Sequence, residues 1–390
     1  PTRREIMRIA MVTEYLAPKG APYMGGVDAR TINLARRLTE KHEVHIITSY
    51  LEGTERFEQY DAVIIHRVGR KRKLTQRGDF VNRLCFNTAI ATEIQRLKPD
   101  IVDASGFVAY SGSYRGASKI GVPVIATVHE VWQGEWLQNM GVVNGLVGHI
   151  LERYYLRKPF DSYIAVSDFT KRKLINKLGI EKEKIKVIYN GVDLELYESI
   201  LPETKYSDPT IVTVCRLVEY KRVSDLIRAV ALLRAPYPNL KLKIIGNGPE
   251  EESLRKLTRE LDLEQNIEFL GKISDFTDVI KILKRSHIFA LPSITEGFGM
   301  VIIEAMASGI PYVASNIPPI YEVTEGGTGG ILCTPKNCVE FAESIEKLLA
   351  DKRTYDEKVT SINGYIGRYN WASISAIADQ FYRRILSGDS

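Results

Sequence analysis

The sequence predicts an α/β protein of two Rossmann-like, doubly wound halves, and three observations carry that expectation. Short β-branched runs alternate with segments of helical period along the chain, as strand–helix–strand units of a parallel sheet require. The alternation is interrupted at 193–209, where two prolines fall among polar residues, and then resumes. The length, 390 residues, exceeds what one hydrophobic core ordinarily fills.

Taken in order, strands are expected at 8–13, 43–48, 61–67, 101–104, 124–128, 162–166 and 185–188. The segment VDARTINLARRLTEK after Gly26 puts Ile32, Leu34, Ala35 and Leu38 toward a sheet, and EVHIIT follows at once, which completes one crossover unit. IAVSDFTKRKLIN opens a helix capped by Ser167 or Asp168. VIYNGVDLELY places Asn190 and Gly191 at a turn before the linker, a candidate hinge. The second series has strands at 210–214, 240–245, 267–270, 287–291, 312–314 and 331–332. The amphipathic WASISAIADQFYRRIL closes the chain. The expected division is therefore 1–193 and 194–370, with a final helix at 371–390.

An apolar fraction of 44% and a charged fraction of 26% are those of a globular protein, and no run is long and apolar enough for a membrane helix. The first strand begins so early that no signal-peptide core fits before it, and the expected location is cytoplasmic. Cys85, Cys215, Cys333 and Cys338 lack metal-ligand spacing and are expected to be reduced packing thiols. The net charge of +5 is unevenly spread. Residues 1–190 hold thirty Lys and Arg against twenty Asp and Glu, the remainder twenty-three against twenty-eight. Much of the excess lies in RVGRKRKLTQRGDFVNR, from Arg67 to Arg83, where Asp79 is the one acid. A solvated basic loop, an anionic membrane surface met from the cytoplasmic side and a phosphate-bearing acceptor all suit it. Nucleic acid does not, because aromatics are not interleaved.

Open α/β sheets hold ligands beyond the carboxyl ends of their strands, so chemistry is sought in those loops. In SITEGFGMVIIEAMASG, at 293–309, Gly297 and Gly299 let backbone amides approach a ligand, and a helix starting near Phe298 aims its positive end at a phosphate. Glu296 and Glu304, two helical turns apart, can bracket an extended ligand and accept from vicinal hydroxyls, as on a sugar and a ribose. That spacing alone equally describes two surface acids; the GFG turn and the helix give it meaning. In VTVCRLVEYKRVSDLIRAV, Arg216 ends a strand and Lys221 lies just inside the following helix, two cations suited to a diphosphate and to the charge that grows on it as it departs. Arg222 remains open between ligand and surface. Gly25 and Gly26 precede a helix, either as a phosphate-approach loop or as a plain turn. His129 at a strand end is either structural or holds a substrate hydroxyl or orients the acceptor. IIGNGPEEESL, with Gly246, either passes near a base or is a turn.

These motifs together resemble the retaining glycosyltransferases of family 4, which have the GT-B fold of two Rossmann-like domains facing a central cleft. The resemblance spans nearly the whole chain through the GG loop, the strand-end His129, NGVD, RLVEYK, IGNGP and EGFGMVIIEAMASG. It implies an acceptor on the first domain, a nucleotide sugar on the second, reaction in the cleft, and a final helix packed back on the first domain. Carried to this chain, Glu304 bonds ribose hydroxyls, and Arg216 and Lys221 bind the diphosphate. Glu296 and the amides of Gly297, Phe298 and Gly299 hold the sugar, with Met300 and Val301 beside them in the donor site. Gly25 and Gly26 approach the phosphates, the base lies near Gly246, Lys272 and Ile273, and His129 stands near the reacting sugar. The resemblance implies no cofactor and no divalent metal, and the chain has no Asp-x-Asp. It implies front-face transfer without a covalent intermediate, from GDP-mannose or a UDP-sugar, with overall likeness leaning to mannose. The acceptor is a glycan, a sugar phosphate or a lipid-linked precursor. Two departures stand out: SNIPPIYEV follows Ala314 where relatives carry paired glycines, and Arg222 replaces a glycine. A nucleotide-sugar epimerase and a non-enzymatic basic binding module are the competing readings.

Overall fold

The computed structural model describes residues 6–19, 25–73, 80–136, 141–201 and 204–388. The chain forms two compact units, one of Pro1–Asn190 with Trp371–Ser390 and the other of Gly191–Asn370.

The first unit is built on an eight-stranded sheet. Its strands are β1 (Arg8–Thr13), β2 (Glu43–Leu51), β3 (Phe57–Tyr60), β4 (Val63–Arg72), β5 (Ile101–Ser105), β6 (Val124–Val128), β7 (Ser162–Ala165) and β8 (Ile185–Val187), in the order β3-β4-β2-β1-β5-β6-β7-β8. All neighbours are parallel except β3, which pairs antiparallel with β4. The order reverses between β1 and β5, in register from Ile9↔Ile101 to Thr13↔Ser105. Helices α1 (Gly26–Leu38), α2 (Phe80–Leu97), α3 (Ala109–Ile120), α4 (Val142–Leu156) and α5 (Asp168–Leu178) connect the strands. Near-continuous apolar runs such as IVDAS and VIATV are wholly buried, as expected of parallel strands covered on both faces. Ser167 caps α5 by accepting from the Thr170 amide.

The second unit has β9 (Thr210–Val214), β10 (Lys241–Ile245), β11 (Ile267–Gly271), β12 (Ile288–Leu291), β13 (Tyr312–Ser315) and β14 (Gly330–Cys333), all parallel, in the order β11-β10-β9-β12-β13-β14. Its switch point lies between β9 and β12. The helices are α6 (Leu194–Ser199), α7 (Val223–Leu233), α8 (Glu251–Glu260), α9 (Phe276–Arg285), α10 (Met300–Ala307), α11 (Pro318–Val323), α12 (Cys338–Ala350) and α13 (Lys352–Asn363). The last helix, α14 (Trp371–Ser387), belongs to the first unit. There Trp371 is buried, Tyr382 donates to Asp103 Oδ2 at 2.5 Å, and Asp379 bonds His42 Nε2 at 2.9 Å.

Several expectations change. The segment read as a linker contains α6, capped by Asp193 and anchored by buried Tyr197 against Phe276, so it is part of the second unit's structure. The hairpin strand β3 was not expected, because FEQY lies at an exposed edge and carries polar residues. The basic stretch opening at Arg67 is no uniform solvated loop. Arg67 is buried, bonding Glu58 and the Leu16 carbonyl, while Arg72 and Arg83 both pair with Glu14. Residues 74–79 of that stretch lie outside the described residues. Among the described residues no helix is long and apolar enough to cross a membrane, and none of the cysteines is paired. Burial pushes the Cys215 and Cys333 thiols up to about 11, as suits packing rather than reactive groups.

Candidate active site

In the second unit the carboxyl ends of four adjacent strands, β11, β10, β9 and β12, carry the loops of the candidate donor site. After β9 the chain turns through a 3₁₀ segment, Glu219–Lys221, and α7 begins only at Val223. Lys221 therefore sits in a turn before the helix, not inside it. After β12 the loop runs to Gly299, whose φ of 96° ends it and starts α10 at Met300, two residues later than expected. Phe298 points inward, buried edge-on against Tyr369. The two loops are joined where the Ile294 amide donates to the Tyr220 carbonyl at 2.9 Å.

This geometry brings Lys221 and Glu296 together: Nζ donates to Oε1 at 2.5 Å, both side chains being largely buried. Burial opposes the ammonium's charge, yet the charge and hydrogen bond of Glu296 outweigh it and hold the Lys221 pKa above its ordinary value. Arg216 is exposed and donates to the Tyr220 hydroxyl at 2.7 Å. Arg222, in the left-handed region at φ 53°, forks onto Asp225 at 2.9 and 2.8 Å and so serves the start of α7.

Glu304 lies one turn into α10, half-buried, and no protein group among the described residues bonds its carboxylate. Burial pushes its pKa up to about 7. Met300 and Val301, in the first turn of the same helix, are also half-buried. Ile273 follows β11, and Gly246 follows β10 with φ 130°. A Cβ at Gly246 would meet the Cys215 carbonyl at 1.9 Å, so its absence lets the IGNGP loop lie on the loop after β9. The Leu217 amide bonds the Asn247 carbonyl across that contact at 2.9 Å. Among the described residues the buried hydroxyls of Ser293, just past β12, and Ser315, at the end of β13, find no hydrogen-bond partner. Small hydroxyl residues carry too weak a signal in sequence to have pointed there.

The first unit has its own polar cluster. His129 follows β6, with a buried Nε2 that finds no partner among the described residues. Burial, then the charge of Arg30, lowers its pKa to about 3, which keeps the ring neutral. Arg30, buried in α1, donates to the Tyr189 carbonyl at 2.7 Å and to Asn190 Oδ1 at 3.0 Å. Asp103 accepts from Thr127 at 2.6 Å and from Tyr382, and burial raises its pKa. Arg30 and Asp103 were not singled out from the sequence. A charged residue inside the apolar strand IVDAS was the available signal. Gly25 is extended and its amide donates to Asp28 at 2.8 Å, so that N–H is already engaged; Gly26 begins α1. Residues 20–24 ahead of them lie outside the described residues.

Residues 24–196 match the model of the Glycosyltransferase Family 4 domain and 202–363 that of Glycosyl transferases group 1. The chain belongs to the family 4 glycosyltransferases of GT-B type that these two domains define. An uncharacterized glycosyltransferase of Haemophilus influenzae is 32% identical over 232 residues, covering 55% of this chain; the chain spans 64% of that relative's own length. Among solved structures, sucrose-phosphate synthase of Thermosynechococcus elongatus superposes with a TM-score of 0.85 at 19% identity, over 98% of this chain and all of that one. HepE of Anabaena, solved in complex with UDP-glucose, gives 0.74 at 19% identity, over 96% and 99%. At such identities the likeness is one of fold.

Proposed function

We propose that the chain is a retaining hexosyltransferase, moving a sugar from a nucleotide sugar to a hydroxyl of a lipid-linked or phosphate-bearing glycan precursor. The observation that carries this is Glu304: a half-buried carboxylate without a protein partner among the described residues, on the helix that leaves the switch point, in the same loop-and-helix segment as Glu296, which Lys221 holds. A carboxylate so placed gains from two vicinal hydroxyl donors, which a ribose supplies. Lys221 and Arg216 face the diphosphate, and Glu296 with the amides of the GFG turn takes the sugar. The complex of HepE with UDP-glucose supports trying UDP-sugars first, with GDP-mannose beside them. Four unpaired cysteines support work in the reducing cytoplasm.

The chemistry proposed is front-face displacement. The bond from the anomeric carbon to the phosphate oxygen breaks, the bond to the acceptor oxygen forms on the same face, and the acceptor's proton passes to the departing diphosphate. Glu296, held by Lys221, is a poor nucleophile, which supports a route without a glycosyl-enzyme. The two cations meet the charge of the leaving group without a metal. The neutral His129 ring offers a hydrogen bond to a substrate hydroxyl. A thermal-shift screen over UDP- and GDP-sugars tests the donor site: a ligand at a hundred times its dissociation constant stabilises by about 2.7 kcal/mol. One nucleotide class should raise the melting temperature, Glu304→Leu should remove the rise, and NMR should find the product in the donor's anomeric configuration. No shift with any nucleotide sugar sinks the donor assignment, and a covalent sugar trapped on a carboxylate sinks the mechanism.

A further inference from the structure

Helix α4 (Val142–Leu156) faces the wrong way for a surface helix of a water-soluble domain. Its inward arc is made of small or polar residues: Gly145, Gly148 and Glu152 are buried, with Leu156 at the end. Trp136 lies so close to Gly148 that a Cβ there would meet its ring at 2.4 Å. Glu152 accepts from the Trp132 amide and from Trp136 Nε1, each at 2.9 Å. The large apolar residues take the outward arc. Val142, Leu146, Ile150 and Tyr154, four apart and so on one face, are 77%, 54%, 56% and 60% exposed, and Val147 beside them is 48% exposed. Burial of such side chains is worth about 1.5–3 kcal/mol each, so leaving five of them in water along one stripe calls for something that covers it.

The charges say what covers it. Arg153 in the last turn and Arg157 at the C-cap, whose Nε donates to the Leu178 carbonyl at 3.0 Å, are exposed and fall on the same arc as the apolar stripe, and Lys158 lies just past the helix end with its ammonium 4.5 Å over the Tyr154 ring. The one acid of the helix, Glu152, is turned inward, so the outward face is apolar at its start and cationic at its end with no exposed carboxylate. A second copy of the chain suits this face poorly: a parallel pairing sets like charges side by side, and an antiparallel one sets arginines on the partner's bare valine and leucine. An anionic bilayer suits both halves at once. The apolar side chains enter the acyl boundary, the cations stay among phosphates, and a tyrosine lies between.

We propose that α4 is an interfacial anchor that seats the first unit on an anionic lipid surface, with Leu146 and Ile150 inserted and Arg153 and Arg157 at the headgroups. This differs from the basic stretch at 67–83, whose Arg67, Arg72 and Arg83 are taken up by Glu58 and Glu14. It also stands independently of the donor reading. The test is cosedimentation of the full chain with phosphatidylcholine vesicles containing none or a third of phosphatidylglycerol. Binding is expected to the anionic vesicles only. Ile150→Asp and the milder Leu146→Ser should each weaken it at least tenfold and Arg153→Glu severalfold, with unchanged circular dichroism because all three positions are exposed. Lys71→Glu with Lys73→Glu should leave most of the binding. Failure to bind anionic vesicles overturns the proposal, as does equal binding by the Ile150 and Leu146 variants or loss confined to the Lys71/Lys73 variant. A dimer in light scattering that Ile150→Asp dissociates, without vesicle binding by the wild type, assigns the face to self-association and overturns it too.

Discussion

At His45 and His66 two buried imidazoles join a chain of hydrogen bonds. The two rings meet at 2.8 Å, Nδ1 to Nε2, while His45 Nε2 bonds Glu43 at 2.8 Å and His66 Nδ1 bonds Glu93 at 2.7 Å. Three bonds thus join two rings and two carboxylates in one buried chain. Arg8 on Glu43 and Arg96 on Glu93 close the chain at its ends, with Phe57 edge-on to His66. Burial, offset in part by Glu43 and reinforced by His66, lowers the pKa of His45. The hydrogen bond from His66, against burial and with help from Arg96, holds Glu93 down to about 2. Both shifts make the unfolded chain bind more protons in acid, so stability is lost as pH falls from about 6.5 for His45 and from about 4.5 toward 2 for Glu93. Glu93→Gln should flatten the lower part of that loss and cost about 1–3 kcal/mol at neutral pH in denaturant melts. A variant with the wild-type acid profile refutes the chain. Glu304 works in the opposite sense. Raised to about 7 by burial, it opposes folding as pH climbs from about 4.5 to 7. In the proposed donor site the hydroxyls of a ribose would favour its charged form, so nucleotide binding should release part of a proton near pH 7 and tighten as pH rises through it. Calorimetry in two buffers of different ionisation enthalpy reads this, and Glu304→Gln should abolish the release.

At the scale of elements, the loops of the candidate donor site are positioned by close backbone contact. Gly246→Ala puts a methyl into the Cys215 carbonyl at a φ of 130°, and should cost about 2–4 kcal/mol through displaced backbone and a strained dihedral. A change under about 1 kcal/mol in urea melts would show that the IGNGP loop rests on the loop after β9 less tightly than its geometry states. Helix α14 is tied differently, by polar bonds into a buried site. Tyr382→Phe leaves Asp103 Oδ2 without its donor inside the core, at an expected cost of about 1–3 kcal/mol. An unchanged melting temperature would show that Asp103 does not depend on that bond.

For the whole molecule, the two substitutions act on different bodies. Residues 1–190 and 371–390 form one unit and 191–370 the other, so Tyr382→Phe should speed amide exchange in the first set and Gly246→Ala in the second. Equal loosening of both units by either variant contradicts the division. Much of this architecture is legible in sequence because parallel strands buried on both faces must be largely apolar, as Ile9–Val12 within RIAMVT, VIATV and IFAL are. The strand β3 escapes because an edge strand with one exposed face needs no such run. Asp193, read as linker, turns out to cap a helix, because α6 is held by the single buried ring of Tyr197 rather than by a repeating pattern.

Sequence by itself determined the two-fold α/β alternation, the loops that carry Arg216, Lys221, Glu296 and Glu304, and the family. Periodicity, strand ends and glycine positions are local properties, and they are written locally. Tertiary structure alone decided which charges are free. Arg67 reads as a solvated cation until the fold brings Glu58 across the hairpin, and Lys221 reads as a free cation until the switch point sets Glu296 against it. It also decided which side of α4 faces water. Helical period defines an apolar arc but not its direction, and here Trp136 and Glu152 take the inner side and leave the apolar arc outside. Partners distant in sequence and free orientation about a helix axis are long-range matters, and only the packed chain settles them.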